Sequence, residues 1–196
     1  MSGAFTIEQP FLAMLVMMIS GAVMATEEPV YTVAAQSGAI EMRRYAPMVV
    51  AETFVTGSMR EASGRGFRVI ADYIFGNNTA AEGGSQKISM TAPVSMQESG
   101  GKWRVHFVMP SEFRLADLPR PNNPDVTLRE IPATDYAVVR FSGLSGADKV
   151  TAKTAELLAW LEARDIDPVG NPLLARYNPP WTLPFLRRNE VMIRYR

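Results

Sequence analysis

The chain has 196 residues, which at about 150 residues per domain allows one domain or two small ones. Positive and negative side chains balance at 20 each, so the chain has no general electrostatic pull on nucleic acid or on an anionic membrane. A hydrophobic content of 47%, no Cys and a single His, His106, describe a folded domain without disulfides, thiolate zinc sites, Cys nucleophiles or His-rich metal clusters. Ser-His-Asp catalysis is left with one possible base.

Phe11 to Ala25 carries no charge over fifteen residues. A membrane span wants about 20 apolar residues, whereas the core of an export signal needs about 7–15. Val23 and Ala25 are the small residues at −3 and −1 of a cut before Thr26. Residues 1–25 therefore read as a signal peptide, although residues 1–10 lack Lys and Arg and contain Glu8. A short membrane anchor or a buried terminal helix are the alternatives. The reading makes the protein exported, periplasmic or extracellular, with residues 26–196 as its one domain.

Residues 30–196 read as one unit written twice. Ala39–Tyr45 and Met48–Val55, split by Ala46-Pro47, have the β-branched and alternating character of a hairpin. Gly57 ends the second strand, and Ser58 with Glu61 three residues on forms a capping box. The helix that follows carries Ala62, Gly66, Val69 or Ile70, and Tyr73 on one stripe, and Gly76-Asn77-Asn78 stops it. Lys87–Met96 and Trp103–Met109 are the next two strands. The order then repeats. Val126–Ile131 and Tyr136–Phe141 are split by Pro132 and ended by Gly143, and Ser145-Gly146-Ala147-Asp148 is a second capping signal. A helix buries Val150, Thr154, Leu157, Leu158 and Leu161, and Pro172–Tyr177 and Glu190–Arg196 complete the set. Ser58 and Ser145 stand 87 residues apart. The expectation is an α+β fold of two ββ-α-ββ-like halves joined into one domain, because each half alone would leave an apolar sheet face wet.

Several phrases, in order, resemble the SOUL haem-binding protein family. They are Glu28-Pro29-Val30-Tyr31, Ile40-Glu41-Met42-Arg43-Arg44-Tyr45, Tyr73-Ile74-Phe75-Gly76-Asn77-Asn78, Lys87-Ile88-Ser89-Met90-Thr91-Ala92-Pro93-Val94 and Arg187-Arg188-Asn189-Glu190-Val191. The Lys87–Val94 phrase is the most specific, and the resemblance covers about residues 28 to 196. It implies a distorted antiparallel β-barrel of duplicated halves flanked by two helices. It also implies non-covalent binding of haem, another porphyrin or a similar planar apolar ligand in a surface cleft, by a monomer with no nucleic-acid partner. A membrane partner follows only if the N-terminal segment is retained.

A haem site needs an apolar slot, cations for two propionates, and in some proteins an axial His, Met or Tyr. Asn178 to Leu186 is a proline-rich loop that offers Trp181, Leu183 and Phe185, and Arg187 and Arg188 follow it. The resemblance places Phe67 and Ala71, on the edge of the first helix, on the opposite cleft wall, with Asp72 in a position better suited to a cation. The plainer alternatives are that the three apolar loop residues plug a barrel end and that the two arginines are solvated strand-entry charges. His106 alternates with Val105 and Phe107, sharing a face with Arg104 and Val108. That assigns it to the more polar face, as a surface or structural histidine rather than an axial ligand. Met90 and Met96 read as core packing. Glu52 lies among Met48, Val50 and Phe54 and is a candidate base if that face lines a cleft; otherwise it faces water or pairs with an Arg on a neighbouring strand. No nucleophile elbow, phosphate loop, metal motif or kinase signature is present, so the binding is expected to be non-catalytic, with a protein-interaction module or weak hydrolase as alternatives.

Overall fold

A computed structural model describes residues 26–196; the expected signal segment lies outside the described residues. Strands β1 (Tyr31–Ser37), β2 (Ile40–Tyr45) and β3 (Met48–Val55) precede helix α1 (Met59–Ile74). After it come β4 (Asn78–Thr79), β5 (Val94–Ser99), β6 (Lys102–Val108), β7 (Arg120–Pro121), β8 (Thr127–Ile131) and β9 (Thr134–Phe141). Helix α2 (Ala147–Glu162) leads to β10 (Pro168–Arg176) and β11 (Asn189–Tyr195). Nine strands form one antiparallel sheet in the order β1-β2-β9-β11-β10-β5-β6-β3-β8, and β4 pairs with β7.

The two expected hairpins do not form. β2 pairs with β9, and β3 pairs with β8. The reason lies in the links. A two-residue hairpin turn needs positive φ at a central residue, and Ala46-Pro47 and Pro132-Ala133 each spend one of two positions on a proline fixed near −65°. The strands run on through a corner instead. Tyr45↔Thr134 and Met48↔Ile131 keep the same register on both sides of it, so residues 40–55 and 127–141 form a single bent ribbon.

This ribbon dictates the shape of the sheet. Strands six places apart, as β2 and β3 are, would lie about 29 Å from each other in a flat sheet at ~4.8 Å per strand. The Ala46-Pro47 link spans at most about 11 Å, so the sheet must curl. It does not close: β1 and β8 are its two edges and do not pair. The expected barrel is thus corrected to an open, curled sheet. β10 is the central strand, and β2 and β8 each lie among strands of the other half of the sequence.

Both helices cover one face. α1 packs on β3 and β6, and α2 on β9, β10 and β11. The capping box forms as expected: Ser58 Oγ accepts from the Glu61 amide, and Glu61 Oε2 accepts from the Ser58 amide at 3.1 Å. Ala62, Gly66, Ile70, Tyr73 and Ile74 are buried beneath it. The second capping signal fails. Gly146 is the N-cap with no side-chain bond, because Ser145 Oγ accepts from the half-buried Arg176 at 2.9 Å. Leu158 is exposed, whereas Leu157 and Leu161 are buried. The strand expected over residues 87–96 begins only at Val94, since Pro93 has no N–H to give a ladder, and Met90 is exposed while Met96 is in the core. The proline-rich segment between the halves is tied down, with Tyr73 donating to the Pro119 carbonyl at 2.9 Å.

Gly66 sets how closely α1 sits on the sheet. A Cβ there would lie 2.5 Å from Val105 Cγ2, on a fully buried side chain of β6. Gly66→Ala would gain about 1 kcal/mol of helix propensity but force an overpacked contact costing about 1–3 kcal/mol. A net loss of up to about 2 kcal/mol in urea unfolding is expected, with Gly64→Ala, which meets only the end of Arg68, neutral or stabilising.

Candidate functional site

The loop between β10 and β11 is stiffened by Pro179, Pro180 and Pro184, which lowers the entropy cost of holding apolar groups in water. Trp181, Leu183, Phe185 and Leu186 are 83%, 56%, 70% and 62% exposed. They do not plug the end of the sheet. Arg187 holds the loop in shape, donating to the Thr182 carbonyl at 2.8 Å and to the Pro180 carbonyl.

A cleft of about 580 Å³ opens between Phe185–Arg188, the β1–β2 turn and the end of β9. Phe141, Phe185 and Leu186 supply its apolar side, and Arg140, Arg187 and Arg188 its charge, against the single carboxylate of Glu41. Arg188 is committed. It donates to Glu190 Oε1 at 2.9 Å and to Glu28 Oε2 at 2.8 Å, and it stacks on Tyr177 at 3.7 Å. Arg140 has no side-chain partner among the described residues and is exposed, so its guanidinium is open to a ligand.

A second, larger concavity of about 770 Å³ lies at the corner of the ribbon, lined by Pro47, Met48, Met109, Phe113, Ile131 and Pro132 among others. Its charge is the reverse, with Glu27, Glu28 and Glu130 against Arg114. At ~4 Å and an effective dielectric of about 20, each charge contact is worth about 4 kcal/mol before solvent and salt reduce it. A dicarboxylate ligand therefore favours the loop cleft over the corner.

The structure brings together Phe185, Arg187 and Arg188 of the residues singled out in the sequence. Trp181 and Leu183 project from the same loop beyond the cleft lining. Phe67 and Ala71 line neither concavity: Phe67 packs its ring 5.6 Å from Phe107, and Ala71 is buried. Asp72 accepts a hydrogen bond from Asn77 Nδ2. Arg140 and Phe141 were missed because only the pairing of β9 with β11 brings them beside the loop, and no local pattern encodes it. Leu186 carried the same apolar signal as its loop neighbours.

The sheet face away from the helices is lined with polar groups. Arg43 makes a two-pronged contact with Glu190, Nη1 to Oε2 at 2.9 Å and Nη2 to Oε1 at 3.1 Å, reaching across β9. Burial pushes the Glu190 pKa up, but Arg43, Arg188 and the Tyr177 hydroxyl outweigh it, and the net direction is down. Glu52 is gripped by Arg129, Nε to Oε1 at 3.0 Å and Nη2 to Oε2 at 2.9 Å, which is the ion-paired alternative for that residue.

His106 is on the expected face, but that face is not surface. It is 4% exposed, and its Nδ1 has no partner. It sits opposite Glu52 and Ser95 in the ladder and lines neither concavity. Polarity did not mean exposure here, because the curl of the sheet covers the inner face. Burial, then the charges of Arg104 and Arg129, push its pKa down to about 3, so it is neutral at pH 7. With the folded value below the unfolded ~6.5, the unfolded state binds the proton. Stability is then full above about pH 6.5 and is lost as pH falls towards 3, at up to ~1.4 kcal/mol per pH unit. In denaturant melts from pH 7 to 4, His106→Gln should remove this component of the slope; an unchanged slope would place the acid sensitivity elsewhere.

The model of the SOUL heme-binding protein family matches residues 26–194. A search of curated proteins returned no match. Among solved structures, the chain is similar to the EcmrR C-terminal domain, at 13% identity and a TM-score of 0.59, covering 85% of this chain and 98% of that one. It is also similar to a hydrolase from Listeria innocua, at 10% identity and a TM-score of 0.56, covering 83% and 94%. Identities this low establish a shared fold. The family match takes in both helices and all of the strands but the last residue of β11, and by it the chain belongs to the SOUL heme-binding protein family.

Proposed function

We propose that this protein binds haem or a related tetrapyrrole non-covalently in the loop cleft, without carrying out chemistry on it. The observation that carries this reading is the combination, around one cleft of about 580 Å³, of exposed Phe185 and Leu186 with the cations Arg140 and Arg187. The volume is within the usual range of about 300–1,000 Å³ for ligand sites. An apolar edge set against guanidinium groups suits a flat ring that ends in carboxylates. None of the residues that line the cleft is His, Met, Cys or Tyr, so the fit is to the ring and its acidic side chains rather than to the iron. Trp181 and Leu183 would meet a ring that extends beyond the cleft mouth, whereas Phe67 and Ala71 could contribute only on a ligand reaching α1.

The non-catalytic part of the reading is supported by Glu52, whose two carboxylate oxygens are both occupied by Arg129. In the same reading the protein acts as an exported monomer, released by a cut before Thr26, that carries, buffers or senses its ligand. Retention of residues 1–25 would make it membrane-anchored instead.

The test is titration with haem followed at the Soret band. Arg140→Ala removes one carboxylate partner and should weaken binding by about 1.5–3 kcal/mol, and Phe185→Ala should weaken it by about 1.5–3 kcal/mol. His106→Gln should leave affinity within about 0.5 kcal/mol. Loss of a low-spin spectrum in His106→Gln, with Arg140→Ala binding normally, would move the ligand to the inner face of the sheet and defeat this assignment.

A further inference from the structure

We propose that the tip of the β10–β11 loop is a lipid-contact surface, which inserts Trp181 and Leu183 into the headgroup boundary of a bilayer. The cleft accounts for Phe185 and Leu186, but Trp181 and Leu183 lie outside its lining and are still held in water. Leu144, next to Gly143 whose amide donates to the Pro184 carbonyl at 2.9 Å, is also 63% exposed. A patch of Trp and Leu of this kind marks an interaction site rather than ordinary surface, and Trp is the residue that favours the membrane–water boundary.

Part of the loop backbone is already satisfied, which matters in an environment where unpaired polar groups are costly. Pro179, Pro180 and Pro184 have no N–H to satisfy. The carbonyls of Pro179, Leu183 and Pro184 accept from loop or neighbouring amides, and those of Pro180 and Thr182 accept from Arg187. The amides of Trp181 and Leu183 and the Trp181 carbonyl have no backbone partner, which limits insertion to the headgroup level, where water and phosphates reach them. Arg140, beside the loop, offers a cation to lipid phosphates.

The second observation is where the chain joins the domain. Glu28 is bonded to Arg188, at the foot of this loop, at 2.8 Å. Glu27, one residue nearer the uncharged run Phe11–Ala25, bridges Thr91 and accepts from the Ser111 amide at 2.8 Å, so the chain enters the domain at the corner concavity, from which Glu28 reaches Arg188. Among the described residues no helix is long and apolar enough to cross a membrane.

The experiment uses the full chain and no porphyrin. Wild type and a Trp181→Ser, Leu183→Ser double variant are sedimented with vesicles of phosphatidylcholine and phosphatidylglycerol. Exposed positions should leave folding intact, checked by urea unfolding. The double variant should bind at least about tenfold more weakly, since each buried side chain of this size is worth about that factor or more. In wild type, acyl-chain-brominated lipid should quench part of the tryptophan emission, and Trp181→Phe should remove that part while Trp103 and Trp160 remain. Equal binding by the double variant would assign the contact to residues 11–25 and overturn the proposal. So would absence of wild-type binding, or protection of Trp181 by self-association without lipid. Haem titration of the double variant is read separately, so failure of the cleft assignment leaves the vesicle result interpretable, and the reverse.

Discussion

Two proline corners, Ala46-Pro47 and Pro132-Ala133, govern this fold. Each is too short to let its flanking strands lie far apart and too stiff to let them fold back on each other. The ribbon they bend holds β2 against β9 and β3 against β8 in one register. Everything between those pairs, β11, β10, β5 and β6, must fit along a curved path. Curvature then divides the molecule into a helix-covered apolar face and an inner face with little access to water.

The inner face explains the buried charges. Arg43 and Glu190 sit on strands separated by β9, and their contact is met only when all three strands are in register. A slip of one residue would turn Arg43 towards the helices. Against an apolar pair of similar size such an ion pair adds little net stability; what it supplies here is a defined register. Arg188 extends the same network to Glu28 and to the rim of the loop cleft, so the site stands on the most constrained part of the sheet. The loop itself is held by Arg187, a local arrangement that leaves its side chains outward.

Local features were legible in the sequence. The α1 capping box, the buried stripe of that helix and the apolar loop at Trp181–Leu186 all depend on neighbours a few residues apart. Strand partners were not, since the prolines that forbid a hairpin at residues 46–47 also resemble turn residues that would make one. β1 was missed because Tyr31–Ser37 is largely exposed on both faces and has little alternation to read. His106 was placed on the correct face and given the wrong environment, because exposure depends on the curl. Of the cleft, the loop side was readable from composition. Arg140 was not, since only long-range pairing sets it beside Phe185.

An open sheet has two edges that a closed one would lack, and each could recruit a strand from another molecule. The β8 edge is short and carries Arg129 and Glu130. The β1 edge has seven residues and no charge, the composition most prone to pairing between copies. Its ladder with β2 is interrupted between Val33 and Ala35, and a bulge at that point adds twist and breaks the straight row of donors and acceptors. A change that straightened β1 would leave an uncharged, seven-residue row of donors and acceptors with which a second copy could pair.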